Sequence, residues 1–339
     1  METLKLDAKA NYDVAVKRAS EILVEGGIVA VPTETVYGLA ASAYSDDAIK
    51  AVFTAKGRPQ DNPLIVHISS LDMLGDIARD IPQAAYECAK AFWPGPFTMV
   101  LPKGDKIADS VSGGLDTVAV RFPSEKTICD IISTSGLPLA APSANTSGRP
   151  SPTSAQHVIE DLDGKIDAVV IGDECSVGVE STVVSLVGDK PRLLRPGAVT
   201  PSDLRKVLDE LVVDEAVLKQ LKEGEAAASP GMKYKHYAPK TEAFLVEGCS
   251  NSFTNFVNSK ENCAAICFSE EYYNITVPKI SYGSKRDEGS LAQNVFSVLR
   301  DIDSLGVNEV YIHAPSKDGV GLAVYNRLIR ACGFKVIVL

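Results

Sequence analysis

The sequence predicts an α/β protein of two domains, a larger N-terminal one and a smaller C-terminal one that alternates strands and helices like a doubly wound sheet. Short all-apolar runs alternate with segments in which apolar residues recur at helical spacing, as expected for buried strands and amphipathic helices. The length of 339 residues leaves room for two domains of about 100–200 residues each. We place the domains at 1–212 and 242–339, with a linker at 213–241.

The composition is that of an ordinary globular protein. Hydrophobic residues make up 45% and charged residues 23%, and no run approaches the ~18 apolar residues that cross a bilayer. The N-terminus carries no apolar signal region, and seven scattered cysteines form no C-x-x-C pair. We therefore expect reduced thiols, no protein-held metal and a cytoplasmic location. The formal net charge of −10 disfavours a protein whose main partner is a nucleic-acid backbone.

The first domain opens with a helix and a central strand. Residues 12–25 have the apolar spacing of a helix, and residues 28–31 form an all-apolar strand. Polar residues follow directly in the stretch 32–39. Thr33 and Glu34 either begin a site at the end of the strand, as α/β folds often arrange, or cap a following helix.

The stretch 56–67 is the clearest candidate for binding an anion. A helix at 47–55 leads into a loop with two cations, two prolines and an amide, and a buried strand follows. Lys56 offers a point charge and Arg58 a planar fork of donors, a combination suited to a polyphosphate. A solvated basic turn that caps the strand is the plain alternative.

Two further segments bring polar groups to strands. The strand 117–123 carries Arg121 where an interior residue is expected, so this arginine either binds a carboxylate or forms a structural ion pair. The strand 137–142 runs into the loop 143–152, whose backbone N–H groups and hydroxyls suit a phosphate. The other elements expected in this domain are helices at 72–79, 83–92 and 201–211 and strands at 98–101, 168–171, 179–187 and 192–197.

The linker contains the stretch SPGMKYKHYAP at 229–239, which is aromatic and basic where simple linkers are Gly/Ser-rich or charged. We interpret it as a lid over the site of the first domain, with a loop packed between the domains as the alternative. The pattern of the C-terminal domain predicts strands at 243–246, 264–268, 276–280, 309–312 and 335–338 and helices at 251–258, 289–304 and 318–331. This alternation is typical of a doubly wound domain, but the absence of G-x-G-x-x-G gives no reason to expect a dinucleotide.

The sequence also contains no P-loop, no G-x-S-x-G elbow and no H-E-x-x-H zinc motif. What remains is a dispersed set of cations, hydroxyls and amides on loops across the first domain, without an evident nucleophile–base pair. Such a set suits a reaction that proceeds by positioning and charge neutralisation, as phosphoryl and nucleotidyl transfer do.

Five motifs stand in order along the first domain: P-T-E-T-V-Y-G-L at 32–39, K-G-R-P-x-x-N-P-L-I-V-H at 56–67, S-A-N-x-S-G at 143–148, E-S-T-V-V at 180–184 and R-P-G at 195–197. Together they resemble the YrdC/Sua5 family of threonylcarbamoyl-AMP synthases. The linker stretch and the α/β tail are similar to the longer, Sua5-type members, so the resemblance extends over nearly the whole chain. It implies an open, twisted mixed sheet with helices in the first domain and a Rossmann-like second domain.

The resemblance implies a reaction in which L-threonine, bicarbonate and ATP, the last with Mg²⁺, give threonylcarbamoyl-AMP and pyrophosphate. The product would pass to the transferase that forms the t6A nucleoside in tRNA, with direct tRNA binding weak or indirect and no membrane involved. By similarity, the ATP side comprises Lys56 and Arg58 as catalytic residues, Asn62, Thr117, Ser143, Asn145, Ser151, Arg195 and, in the lid, Tyr234. The threonine side comprises Thr35, His67, Arg121, Ala141 through its backbone, and Ser181.

Two other functions are compatible with parts of the sequence. The first is a non-enzymatic RNA-binding module, although the net charge of −10 and the lack of interleaved basic and aromatic residues weigh against it. The second is the carbamoyltransferase of hydrogenase maturation, which contains a similar domain. This chain lacks the C-x-x-C zinc pairs and the extra length expected of that enzyme.

Overall fold

The computed structural model describes residues 2–60, 62–219 and 237–339. Within these ranges the chain folds around two sheets, one of eleven strands and one of five. The strands of the larger sheet lie between Leu4 and Val213, and those of the smaller sheet lie between Glu242 and Val338. The predicted α/β class with two sheets is therefore confirmed, while the exact domain boundaries stay predictions.

The elements around the larger sheet follow most of the sequence patterns. The strands are β1 Leu4–Asp7, β2 Val29–Val31, β3 Gly38–Ser42, β4 Ile65–His67, β5 Phe97–Pro102, β6 Thr117–Arg121, β7 Leu139–Ala140, β8 Ala168–Ile171, β9 Thr182–Ser185, β10 Arg192–Arg195 and β11 Val212–Val213. The helices are α1 Tyr12–Val24, α2 Asp46–Lys56, α3 Leu74–Ile77, α4 Gln83–Phe92, α5 Asp109–Ser112, α6 Lys126–Ser135, α7 Ala155–Leu162 and α8 Pro201–Leu204.

The larger sheet is open and mixed, with the strand order β1-β8-β2-β3-β7-β4-β6-β5-β9-β10-β11. β4 and β6 lie parallel near its middle and bring His67 directly beside Arg121. β7 runs antiparallel to β4, so the loop that follows Ala140 returns to the beginning of β4 near Ile65. Polar segments that are distant in sequence therefore flank both ends of β4.

Helix α2 sets the position of the candidate phosphate-binding cations. Ser45 caps its first turn by accepting a hydrogen bond from the N–H of Ala48. The helix ends at Lys56 and is capped by Gly57, whose φ of 61° is a left-handed conformation that glycine adopts without steric cost. This turn directly follows Lys56 and directs the chain toward Arg58 and the beginning of β4.

The sequence patterns do not predict the strands β1, β3 and β11 or the helices α5 and α6. The Gly-Leu-Ala-Ala-Ser sequence of β3 has little intrinsic β-propensity, and it becomes a strand through its pairing with β2 and β7. The alternative in which Thr33 caps a helix is wrong, because this segment connects the antiparallel strands β2 and β3. The helix predicted at 201–211 is regular only over Pro201–Leu204 and continues as turns.

The smaller sheet is entirely parallel, which confirms the doubly wound pattern. Its strands are β12 Glu242–Glu247, β13 Cys263–Phe268, β14 Lys279–Gly283, β15 Glu309–His313 and β16 Val336–Val338, and its helices are α9 Ser250–Asn258, α10 Glu288–Asp301 and α11 Gly321–Ala331. α9 packs on one face, and α10 and α11 pack on the other. The strand order is β14-β13-β15-β12-β16. In the classic dinucleotide-binding fold the first two strands of the domain are neighbours, whereas here β15 lies between the first two strands, β12 and β13.

Helix α11, in which every residue is buried, contacts the first domain through Arg327, which donates to Glu180 and to the carbonyl oxygen of Pro196. At the beginning of the linker, the side-chain amide of Asn326 donates to the carbonyl oxygen of Val217, and Arg330 donates to that of Ala216 at 2.7 Å. α10 also approaches the first domain closely: a Cβ atom on Gly178 would lie 2.3 Å from the Cα atom of Gln293. The second domain is therefore held in two ways: side chains of α11 bond to backbone carbonyl oxygens, and the backbone of α10 packs so closely against Gly178 that no side chain fits there.

We expect Gly178→Ala to destabilise the folded chain by about 1–3 kcal/mol, because a methyl group would overlap the backbone of α10. The φ of +80° at this position adds strain for any side chain. The midpoint of thermal denaturation, followed by circular dichroism, measures the effect. Gly75→Ala is the matched control, because nothing lies within 4 Å of a Cβ atom there. Equal midpoints for the two variants would contradict the close contact.

Candidate active site

The five motif segments meet around one cavity that runs along β4. Ten of the fourteen predicted site residues line it: Thr35, Lys56, Arg58, His67, Arg121, Ala141, Ser143, Asn145, Ser181 and Arg195. Lys56 and Arg58 lie on the segment that enters β4, and His67 is the last residue of the strand. The residues predicted for the two substrates therefore lie toward opposite ends of one short strand.

The remaining four predicted residues do not line the cavity. Ser151 is fully buried behind its wall and donates a hydrogen bond to Glu180, a lining residue, at 2.6 Å. Asn62 is also fully buried, and its amide atoms have no hydrogen-bond partner among the described residues. Thr117 is half-buried at the beginning of β6, and Tyr234, with most of the predicted lid, lies outside the described residues.

Arg121 is the centre of a buried polar group at the end of β4. Its guanidinium lies 2.7 Å from the carboxylate of Glu34 and donates to Thr35 Oγ1 at 2.8 Å and to the Gly95 carbonyl at 3.3 Å. Burial raises the pKa of Glu34, but Arg121 and the N–H of Ser124 outweigh burial and bring this pKa below its usual value. The structural ion pair that the sequence left open is therefore present, and it holds Arg121 at the cavity wall.

His67, next to Arg121, presents a neutral imidazole to the cavity. Its Nδ1 atom lies 3.2 Å from the carbonyl oxygen of Ile65. Burial, together with the nearby charge of Arg121, lowers the pKa of His67 to about 3, so the ring is uncharged near neutral pH. Donation from Nδ1 leaves Nε2 as a hydrogen-bond acceptor.

Lys56 fastens the polar loop at the other end of β4. Its side chain is buried, and Nζ donates to the carbonyl oxygens of Ser143 and, at 2.7 Å, of Asn145. Burial and the guanidinium of Arg58 hold the pKa of Lys56 well below its usual value. The N–H of Ser147 donates back to the Lys56 carbonyl at 2.8 Å. Lys56 therefore lines the cavity and also fixes the shape of the loop that follows β7.

Asn145 completes the shape of this loop. Its Nδ2 donates to the carbonyl oxygens of Thr146 and Arg149, both at 2.9 Å. Its Oδ1 is buried and meets no hydrogen-bond donor among the described residues. Because buried polar atoms are normally paired, this oxygen is an acceptor available to a ligand.

Arg195 and Ser181 form a hydrogen-bonded pair on another wall. Arg195 donates from Nε to the carbonyl oxygen of Ser181 at 3.0 Å and from Nη2 to its hydroxyl at 3.1 Å. The hydroxyl also lies 2.7 Å from that of Thr98. Burial lowers the pKa of Arg195 to about 10, so the guanidinium remains charged at neutral pH.

Glu180 is a lining carboxylate that sequence reasoning did not select as a site residue. Its Oε1 accepts from Ser151 and its Oε2 accepts from Nε of Arg327 at 2.7 Å. Burial raises its pKa, but Arg327 and Arg195 outweigh burial and bring it to about 2. Arg327 comes from α11 of the second domain, so no motif within the first domain indicates this pair. Tyr237, at the end of the linker, also lines the cavity.

The carboxylates at this site are already matched by arginines. Glu34 faces Arg121, and Glu180 faces Arg327. In the described ranges, no group of three or more His, Cys, Asp or Glu side chains is arranged to hold a metal ion. The residues present therefore do not fit a Mg²⁺ ion held by the protein alone, since that ion prefers carboxylate oxygens.

Among the described residues, no helix has the length and apolar character needed to span a membrane.

The chain is similar along almost its whole length to known proteins. Residues 21–197 match the family model of Sua5, YciO and YrdC proteins, described as telomere recombination, and residues 199–333 match that of the threonylcarbamoyl-AMP synthase C-terminal domain. The chain is 44% identical to the threonylcarbamoyl-AMP synthase of Pyrococcus abyssi, over 95% of each chain. It is 40% identical to that of Bacillus subtilis, over 98% of this chain and 96% of the other. The crystal structure of P. abyssi Sua5 complexed with L-threonine superposes over 100% of both chains with a TM-score of 0.92 and 39% identity.

We expect Glu180→Gln to lower the free energy of unfolding near neutral pH by about 3–5 kcal/mol, because it leaves the buried Arg327 without a counter-charge. This difference should shrink in acid. The pKa of Glu180 is about 2 in the folded protein and 4.5 ordinarily, so its stabilisation is complete above pH 4.5 and is lost as the pH falls toward 2.

Denaturant unfolding of the wild type and the variant at a series of pH values from neutral to about 3 measures the difference. Glu210→Gln is the control, because Glu210 forms an exposed pair with Lys190, and such pairs contribute little. A difference between wild type and Glu180→Gln that stays constant over this range would contradict a charged Glu180.

Proposed function

The chain belongs to the Sua5-type threonylcarbamoyl-AMP synthase family, and from this premise we propose that its cavity joins L-threonine, bicarbonate and ATP into threonylcarbamoyl-AMP and pyrophosphate. The observation that carries the proposal is the concentration of positive charge in a protein with a net charge of −10. Five cationic side chains line the cavity: Lys56, Arg58, Arg121, Arg149 and Arg195. Three carboxylates offset part of this charge, namely Glu180 in the lining, Glu34 beside Arg121 and Asp161 beside Arg149, so positive charge remains in excess. These cations converge on a cavity rather than a surface stripe, which favours a small anionic substrate over a bound RNA.

We assign the triphosphate to the end of the cavity where the chain enters β4. Arg58 offers a fork of donors there, and the loop from Ser143 to Asn145 contributes a hydroxyl and an unoccupied acceptor oxygen. Arg195, which also lines the cavity, adds a second guanidinium. Such fixed donors act on charge as it develops and need no reorganisation during the reaction.

We assign threonine to the end of β4. The neutral His67 accepts a hydrogen bond without repelling an amine, and Thr35, Arg121 and Ser181 offer donors to a carboxylate or hydroxyl. The N–H of Ala141 donates to the Ile65 carbonyl at 3.0 Å, so its own carbonyl is the group that faces a substrate amine.

The proposed reaction in the cavity has two steps. The threonine amine attacks bicarbonate and forms an N-carboxylate with release of water. An oxygen of that carbamate then attacks the α-phosphorus of ATP, and pyrophosphate leaves with the electron pair of the broken P–O bond. The protein contributes alignment and charge neutralisation, because the two substrates lie end to end along one strand.

Mg²⁺ enters this proposal as part of the MgATP substrate. Its ligands would be phosphate oxygens and water, as is usual for this ion in nucleotide sites. The product would then be handed to the t6A transferase in the cytoplasm, with tRNA contacting this chain weakly or not at all.

We expect Arg58→Ala to reduce threonylcarbamoyl-AMP formation at least about 100-fold, because one fixed cation at the phosphates is lost. The adenylate is measured by mass spectrometry after incubation with threonine, bicarbonate and ATP, together with pyrophosphate release. Arg205→Ala, which removes an exposed arginine that does not line the cavity, is the matched control. Wild-type turnover by a folded Arg58→Ala protein would refute the nucleotide assignment.

We expect Tyr234→Ala to raise the KM for ATP by about tenfold, because the family resemblance implies that this residue of the lid contacts the nucleotide and a tenfold change corresponds to about 1.4 kcal/mol. Steady-state pyrophosphate release with ATP varied at saturating threonine gives this value. Tyr273→Ala is the control, because Tyr273 is 93% exposed in the second domain. An unchanged KM in Tyr234→Ala would argue for the packed-loop alternative and against the lid.

A further inference from the structure

Contacts that depend on the second domain and the end of the linker converge on four consecutive residues, 148–151, of the loop at the nucleotide end. We propose that Arg300 and Arg327 of the second domain are positioning residues that hold this segment in the shape that ATP requires. The inference rests on the proposed function, and it assigns to the second domain a part in building the site of the first.

Arg300, on α10, holds the middle of the segment. Its Nη2 donates to the carbonyl oxygen of Pro150 at 2.6 Å. The same guanidinium binds both oxygens of Asp161, at 3.0 Å and 3.2 Å, and the side chain of Asp161 is fully buried. Asp161 also lies 2.6 Å from Nη1 of Arg149, a cavity residue. One arginine of the second domain thus fixes Pro150 directly and Arg149 through a shared carboxylate.

Arg327, on α11, holds the end of the segment through Glu180. Its side chain is fully buried, and Nε donates to Oε2 of Glu180 at 2.7 Å while Glu180 Oε1 accepts from the Ser151 hydroxyl at 2.6 Å. A second contact comes from the end of the linker, where the N–H of Ala238 donates to the carbonyl oxygen of Gly148 at 3.1 Å. Each of the four residues therefore has a partner that the second domain or the end of the linker holds in place.

The local sequence explains why outside support is needed. Residues 143–152 have no helix and no strand ladder of their own, and fixing one backbone residue costs roughly 1–2 kcal/mol of conformational entropy. A loop that must be ordered on binding loses this free energy from its affinity for the ligand. Rigid arginines on two helices avoid that loss, since α10 and α11 are themselves fixed by the core of the second domain.

Stability alone does not account for two buried guanidiniums at this interface. Replacing a buried ion pair with apolar side chains of similar size is often neutral or stabilising, because both charges must be desolvated. What an apolar pair cannot do is hydrogen-bond the Pro150 carbonyl and, through Glu180, the Ser151 hydroxyl, and so fix the conformation of the segment that carries the cavity residues Gly148 and Arg149. The geometry of the contacts, rather than their contribution to stability, is what points to positioning.

The test uses full-length Arg300→Met and the matched control Arg330→Met, whose buried side chain donates to the carbonyl oxygen of Ala216 at the beginning of the linker instead of to the loop. Arg300→Met should raise the KM for ATP about 10- to 100-fold and leave the KM for threonine unchanged, while Arg330→Met changes neither. Arg300→Lys should bring the KM for ATP part of the way back to the wild-type value. This conservative variant also provides the measurement if Arg300→Met does not fold. Equal KM values for ATP in Arg300→Met and Arg330→Met would overturn the role of Arg300.

Arg327 is tested by the pH dependence of kcat/KM for ATP. The charged and titratable groups that face Glu180 are Arg327 on α11, Arg195 on β10, Tyr237 at the end of the linker and Lys56 at the end of α2. Removing Arg327 leaves a buried carboxylate with less positive charge, so its pKa rises. Arg327→Met should therefore show a new acidic limb that the wild type lacks.

The double variant Glu180→Gln/Arg327→Met should lose this limb, because no carboxylate remains to titrate, and it removes both charges so that neither is left unpaired. An Arg327→Met profile without an acidic limb, or a limb that persists in the double variant, would overturn the role of Arg327. These outcomes are distinct from failure of the proposed function, which would appear as a wild-type protein that forms no threonylcarbamoyl-AMP.

Discussion

A buried ion pair between Glu180 and Arg327 joins the two domains at the wall of the cavity. Both charges are removed from water, which is tolerable only because each has further partners: Ser151 donates to the carboxylate, and the guanidinium donates to the carbonyl oxygens of Pro196 and Glu180. Separating the domains would remove the counter-charge of Arg327 from Glu180 and leave Arg327 without its carboxylate. The cavity is therefore a property of the two-domain chain, although almost all residues that line it belong to the first domain.

Burial controls the electrostatics of the cavity in opposite ways at different residues. Burial keeps His67 neutral and lowers the pKa of Lys56. The amino group of Lys56 donates its hydrogen bonds to backbone carbonyl oxygens of the loop that follows β7. Burial would also neutralise Glu34 and Glu180, but each has an arginine within hydrogen-bonding distance and stays charged. The site thus combines fixed ion pairs, which hold its walls, with the guanidinium of Arg58 and loop atoms that face the substrates. This division suits a reaction without a nucleophilic side chain, in which position and charge account for the rate.

Much of the fold was predictable because its signals are local. The helix at Tyr12–Val24 and the strands around Val29 and Met99 follow from apolar periodicity, and all helices and strands of the second domain lie close to their predicted ranges. β3 was not predictable in this way, because its small residues adopt a strand only between the partners that tertiary structure provides. The same holds for the choice between an anion site and an ion pair at Arg121, which depends on where Glu34 lies in space.

By itself, the sequence determined the family, the two-sheet α/β class and the residue types of the site. These properties depend on five short motifs and on the local periodicity of apolar residues, both of which can be recognised without a structure. Only the tertiary structure decided which of these residues share one cavity, that Lys56 supports a loop as well as facing a ligand, and that Arg300 and Arg327 support the nucleotide end from the second domain. The physical reason is that burial and pairing set the role of a charged side chain, and the partner of Glu180 lies 147 positions away along the chain.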